Sequence, residues 1–181
     1  MRLLFEIDTH DYKKNGSVFS RPSVRGIIVR GDKLAMIHSL KYDYYKFPGG
    51  GIDSGEAHID TLVREVREES GLTVIPDSVR EYGYVHRIQK GTREDIFIQD
   101  NFYYLCDTED NIGSQRLDDY ENDEQFTLEF VTPRHAIEVN RTGAHREKSD
   151  DPFFLCITDR ENRVLEMLLN EGIIRSDDPI Q

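Results

Sequence analysis

Between Phe47 and Leu72 a glycine-rich loop runs directly into an acidic helix, and that junction constrains the fold more than any other feature of the chain. Gly49, Gly50, Gly51 and Gly55 open backbone conformations closed to other residues and let main-chain groups approach a ligand without an intervening side chain. Ile59, Leu62, Val63 and Val66 then recur at helical spacing, which predicts a helix from Glu56 to Ser70 with Gly71 as its stop. With Glu65 set to zero, Glu69 falls at roughly +40° and Glu68 at roughly −60° on that helix, so three carboxylates share one wedge. Leu62 and Val66 lie at roughly 60° to 100°, so the wedge borders the buried stripe. Carboxylates about 5 Å apart repel by roughly 3 kcal/mol per pair at an effective dielectric near 20. Solvent, protonation or a hard divalent cation can relieve that cost, and at the rim of a core the cation is the most effective. Asp53 and Glu56 match a capping box; Glu56 is expected either to cap the helix or to order the loop near a metal.

The chain of 181 residues is sized for one domain. With 37% hydrophobic and 32% charged residues it is apolar enough for a core and too polar for a membrane span. Its formal charge of −12 argues against general nucleic-acid binding and means that an anionic substrate needs a local cationic remedy. Cys106 and Cys156 are too few and too far apart for a disulfide framework or a zinc site, and both read as small buried apolar residues in a reducing compartment. The N-terminus lacks a signal-peptide pattern, so the expected location is cytoplasmic.

Strands are expected at Arg2 to Asp8, at Val24 to Arg30 and Lys33 to Leu40 around a Gly31-Asp32 hairpin turn, at Val79 to Lys90 and Asp95 to Cys106 around Gly91 to Glu94, and at Phe126 to Val131. A short helix should start at Thr132-Pro133 and a longer one should cover about Thr158 to Glu171. The acidic stretch from Asp107 to Glu124 reads as a solvated loop. One sheet between helices, an α/β/α sandwich with a mixed and largely antiparallel sheet, accommodates these elements around one core.

Gly50, Glu56 and the run Arg64-Glu65-Val66-Arg67-Glu68-Glu69-Ser70-Gly71-Leu72 match the pattern G-x5-E-x7-R-E-U-x-E-E-x-G-U, with U bulky and aliphatic, at every defined position. That 23-residue segment, 50 to 72, resembles the Nudix box, and the Phe47-Pro48 lead-in, the flanking strands and the C-terminal helix look like the Nudix hydrolase family, which includes the MutT-like proteins. The resemblance implies a single Nudix hydrolase domain over residues 1–181. It also implies a pyrophosphohydrolase that uses Mg²⁺ or Mn²⁺ and water to cleave a nucleoside diphosphate linked to another moiety. Carried over position by position, Glu65 and Glu69 become the main metal ligands, Glu68 a further or water-mediated ligand, and Gly50 the source of a backbone carbonyl. Arg64 becomes the residue that orients a glutamate through a bidentate pair. In this family the general base comes from the box helix or from a loop before the late strand; Glu124 is nominated as that base or an extra metal ligand, with Glu121, Asp123 and Glu129 as competitors.

On the substrate side, Tyr42, Tyr44, Tyr45 and Phe47 could stack on a nucleobase, although aromatics in strands more often belong to the core. Arg25, Lys46, Tyr84, His86 and Arg87 are candidates to reach a phosphate or a base, against surface or packing roles for each. The expected partner is a small nucleotide or nucleotide conjugate, with no membrane and with room for a homodimer. The alternative, a non-catalytic Nudix-like binding or regulatory module, usually shows eroded box glutamates, and none is eroded here. A prenyl-diphosphate isomerase on the same scaffold would need a further Cys-Glu arrangement that the chain does not suggest.

Overall fold

The computed structural model describes residues 1–175; the last six positions of the expected 1–181 domain lie outside the described residues. Eleven strands are found there: β1 (Leu3–Asp8), β2 (Val18–Ser20), β3 (Ser23–Ile27), β4 (Val29–Arg30), β5 (Lys33–Ser39), β6 (Tyr44–Lys46), β7 (Leu72–Val74), β8 (Arg80–Gln89), β9 (Ile96–Leu105), β10 (Thr108–Ile112) and β11 (Phe126–Val131). The helices are α1 (His58–Ser70), α2 (Asp119–Asp123), α3 (Pro133–Thr142) and α4 (Pro152–Asn170).

The long β8–β9 hairpin anchors one sheet, in which β1 adds parallel to β8 while β2 and β3 add in turn, also parallel, to the other edge of β9. A second sheet of β4, β5, β6 and β11 is antiparallel throughout. The mixed character expected from the sequence is present, and the three parallel pairings arise because β1, β2 and β3 reach the hairpin from a distance rather than through tight turns. The Gly31-Asp32 hairpin forms as expected, with Arg30 opposite Lys33.

Two of the three buried apolar clusters among the described residues hold the helices against the sheets. In one, Leu62 and Val66 of α1 pack with Val24, Ala35, Leu72 and Tyr104. In the other, Ala136 and Ile137 of α3 and Val164, Leu165 and Leu168 of α4 pack with Ile27, Met36, Phe47 and Tyr103. Each such side chain taken fully from water contributes about 1.5–3 kcal/mol, which fixes the helices against the sheet faces. The result is the helix–sheet–helix layering that the element pattern implied.

Three local expectations are corrected. The helix begins at His58, with Ala57 as an uncapped N-terminal boundary, so Asp53 and Glu56 do not form a helix cap; the Asp53 N–H donates to Glu56 Oε2 at 3.4 Å within the loop. The acidic stretch is not a bare loop, because β10 pairs with β7 and a capping box of Asp118 and Glu121 opens α2. Finally, α4 starts six residues before Thr158, since Asp151 caps it through the Phe153 N–H at 2.9 Å and Pro152 suits its first turn. Cys106 is buried as expected, whereas Cys156 is only half-buried.

Candidate active site

The loop Pro48 to Gly51 is stitched to β3 on both sides of its turn. The Gly26 N–H donates to Pro48 O at 2.8 Å and the Val24 N–H to Gly50 O at 3.0 Å, while the Arg25 guanidinium donates to the Gly49 carbonyl. Gly49, at φ 137°, takes a conformation that favours glycine, and a Cβ there would strike the Val24 carbonyl. At Gly50 an added Cβ would collide with the Glu65 carboxylate. The glycines therefore bring the main chain against the acidic face of α1.

On that face the three box carboxylates sit in different environments. The Glu69 side chain is only 2% exposed; its Oε1 receives Lys46 Nζ at 2.5 Å and its Oε2 the Gly49 N–H at 2.8 Å. Glu65 is mostly buried, and burial pushes its carboxyl above the ordinary range against the opposing pull of Arg64 and Arg25. Glu68 is the open one, 38% exposed. Arg64 ties the group together: Nε and Nη2 grip Glu56 at 2.9 and 2.8 Å, and Nη1 reaches Glu65 at 2.6 Å and Glu68 at 3.3 Å. That bidentate grip holds the Glu56 carboxyl down to about 2. Among the described residues no three acidic, histidine or cysteine side chains converge as a ready metal cage.

From Lys46 a cleft of about 410 Å³ runs across the sheet face that carries Arg25, Arg87 and Gln99, and Glu124 and Tyr120 line its near end. Of the five substrate-contact candidates, Arg25, Lys46 and Arg87 are brought into this cleft. Tyr84 and His86 are not: strand alternation puts them on the opposite face of β8 from Val85 and Arg87, where Tyr84 packs on Phe102 and His86 binds Asp100 at 2.7 Å. Tyr42, Tyr44, Tyr45 and Phe47 are all buried in the core, and Tyr44 also lines the cleft. Glu124 accepts from Tyr44 Oη at 3.1 Å and Ser39 Oγ at 3.2 Å. Its competitor Glu121 is the acid whose carboxyl is pushed up, first by burial and then by the charge of Glu69. Arg160, Phe97, Phe153 and Tyr120 also line the cleft and were missed in the sequence, because their helix phase or strand face is visible only once the chain is folded.

A two-sided α/β/α sandwich with a glycine-rich loop laid against an acidic helix defines the class of fold and site. Comparison with known proteins agrees: the model of the NUDIX domain matches residues 20–151, and the chain belongs to the Nudix family. It is 38% identical over 69 residues to an RNA pyrophosphohydrolase of Ruthia magnifica subsp. Calyptogena magnifica, covering 37% of this chain and 34% of that protein. It is 35% identical over 69 residues to a U8 snoRNA-decapping enzyme of Homalodisca vitripennis, covering 38% and 37%. The matches thus span about a third of the length of these curated relatives. Among solved structures, a Nudix hydrolase from Nitrosomonas europaea is similar with TM-score 0.53 and 16% identity, over 78% of this chain and 87% of that one. A MutT Nudix hydrolase from Burkholderia pseudomallei gives TM-score 0.50 and 16% identity, over 64% and 85%. At these identities the structural likeness speaks for the fold.

Proposed function

We propose that this chain is a divalent-metal-dependent pyrophosphohydrolase that cleaves a nucleoside diphosphate linked to another moiety by attack of water on phosphorus. The observation that carries this reading is the Glu65 environment: a carboxylate held largely out of water against the Gly50 main chain, beside Glu68 and Arg64 on the helix whose Glu69 is reached by Lys46 of the cleft. All-oxygen donors on one helix face suit a hard cation such as Mg²⁺ or Mn²⁺, and burial that disfavours an isolated Glu65 anion is what a cation would offset. Glu65 and Glu68 would hold the metal; Glu69 would join them on leaving Lys46, and the Gly50 carbonyl, already accepting from Val24, has a second lone pair to offer. When bound, the metal supplies a more acidic water and neutralises phosphate charge.

The chain's own residues do the rest. Arg64 fixes the direction of Glu65 and Glu68 while its grip on Glu56 anchors the loop. Arg25 and Lys46 offer cations to the phosphates on the cleft side, the local remedy that a chain of charge −12 requires. Glu121, held by the Asp118 N–H at 2.9 Å and Tyr120 Oη at 2.9 Å, and Glu124 are the acids on the late-strand side that could take the proton of the attacking water.

Phosphate-release assays with Mg²⁺ over nucleoside triphosphates, oxidised nucleotides, nucleotide sugars, dinucleoside polyphosphates and 5′-triphosphorylated or capped oligonucleotides test the reading. The last two belong in the panel because of the relatives' names. Metal-dependent turnover of at least one substrate is expected; binding with no turnover across the panel would shift the assignment to a regulatory module.

A further inference from the structure

The three acids of the box helix are each turned to a cation of the chain itself. Glu65 and Glu68 receive Arg64 Nη1, whereas Glu69 Oε1 holds Lys46 Nζ at 2.5 Å. Both partners of that second pair are buried, the Lys46 side chain 9% and the Glu69 side chain 2% exposed. Among the described residues the Glu69 carboxylate accepts one further hydrogen bond, from the Gly49 N–H at 2.8 Å. A buried carboxylate left with that bond alone is costly, so Lys46 can leave Glu69 only if another cation takes its place.

Lys46 also lines the cleft, where its Nζ lies 4.6 Å from the ring centre of Phe126. An ammonium ion carries three N–H donors, and Glu69 is the one hydrogen-bond acceptor of Lys46 among the described residues. While Lys46 stays there, the carboxylate cancels its charge and it offers an anion little. Two other acids stand near. Burial and then the charge of Glu69 push the Glu121 carboxyl up and Lys46 draws it back, but its oxygens are already engaged by the Asp118 N–H and Tyr120 Oη, each at 2.9 Å. Glu124 Oε2 likewise accepts from Ser39 Oγ and Tyr44 Oη. A released Lys46 therefore has most to gain from an anion in the cleft.

An ammonium and a divalent cation on the same carboxylate repel each other, and the lysine, on its flexible stem, is the one free to turn away. Resting on the metal-dependent pyrophosphohydrolase reading, we infer that Lys46 is an exchangeable counter-ion of Glu69: it releases the carboxylate when a divalent cation binds the box, and its ammonium turns into the cleft to bind the substrate's phosphates. Glu69 stays paired in both states, and the phosphate-binding charge of Lys46 is withheld until the metal is in place. Since coupling between two sites is reciprocal, metal and diphosphate each tighten the binding of the other.

The full chain, stripped of metal with a chelator and labelled with ¹⁵N at lysine, carries the test without turnover. As Mg²⁺ is added, the Lys46 Nζ resonance is expected to shift saturably, with the dissociation constant that calorimetry gives for the same ion. Lys46→Met removes the competing ammonium and should bind Mg²⁺ at least about tenfold tighter than the wild-type chain. At saturating Mg²⁺ the same variant should bind methylenediphosphonate, a diphosphate with a non-hydrolysable bridge, at least about tenfold more weakly. The opposite signs are the signature of exchange: a lysine that only packs on Glu69 would leave diphosphate affinity unmoved, and one that only attracts phosphate would leave Mg²⁺ affinity unmoved. A Lys46 resonance that stays in place while calorimetry records bound Mg²⁺, or either affinity equal in the two chains, overturns the exchange and leaves the metal reading standing. No saturable Mg²⁺ binding to the wild-type chain overturns both. The resonance decides the matter without any substituted protein.

Discussion

Glu65 and Glu56, both within reach of Arg64, are displaced in opposite directions, and the difference has a measurable sign. Glu65 titrates above its ordinary 4.5 because burial outweighs its ion pair, so the stability linked to its neutral form is complete below pH 4.5 and is lost as pH rises through the folded value. Glu65→Gln cannot ionise; it is expected to melt at a higher temperature than the wild-type chain at pH 7, with the gap closing below pH 4.5. Glu56 is held at about 2, so its contribution is present above 4.5 and fades as pH falls toward 2. Glu56→Gln should therefore lower the melting temperature at pH 7 and lose that effect in acid, as thermal scans over a pH series would show. A Glu65→Gln chain that melts lower than wild type at every pH would contradict the burial argument. The identity of these residues was visible in the spacing of the box. Their environments were not, because Lys46 reaching Glu69 and the glycine turn pressing on Glu65 depend on contacts between segments far apart in sequence.

Elements with a strong period or a punctuating residue were readable before folding. The stop of α1 at Gly71 is one: φ 74° is left-handed, and the Gly71 N–H closes on Arg67 O at 3.0 Å. The same residue receives the Gly113 N–H at 2.8 Å, and a Cβ there would strike the Gly113 carbonyl. Gly71→Ala should thus cost at least about 1 kcal/mol for the backbone conformation alone, read from urea unfolding; a loss within experimental error would mean that the cap is not under strain. The strands β2, β6 and β7 have only three residues each, too few to show alternation, and were missed for that reason. Likewise α2 and β10 lie inside a stretch whose charge masked a cap and a pairing.

Across the whole molecule the charge of −12 is not evenly spread. Arg25, Lys46, Arg87 and Arg160, together with Lys148, line one cleft, and Lys46 also reaches Glu69 of the box helix. Net charge from composition could not show this segregation, since β3, β6, β8 and α4 assemble it from four distant parts of the chain. No helix among the described residues is long and apolar enough to cross a membrane.

The proposed role of Glu65 in metal-dependent hydrolysis stands or falls on steady-state kinetics of Glu65→Gln against the wild-type chain, with Mg²⁺ and the best substrate of the panel. A fall in kcat of at least about a hundredfold is expected in a chain that remains folded. Equal kcat in the two proteins, with Mg²⁺ still required, would contradict it.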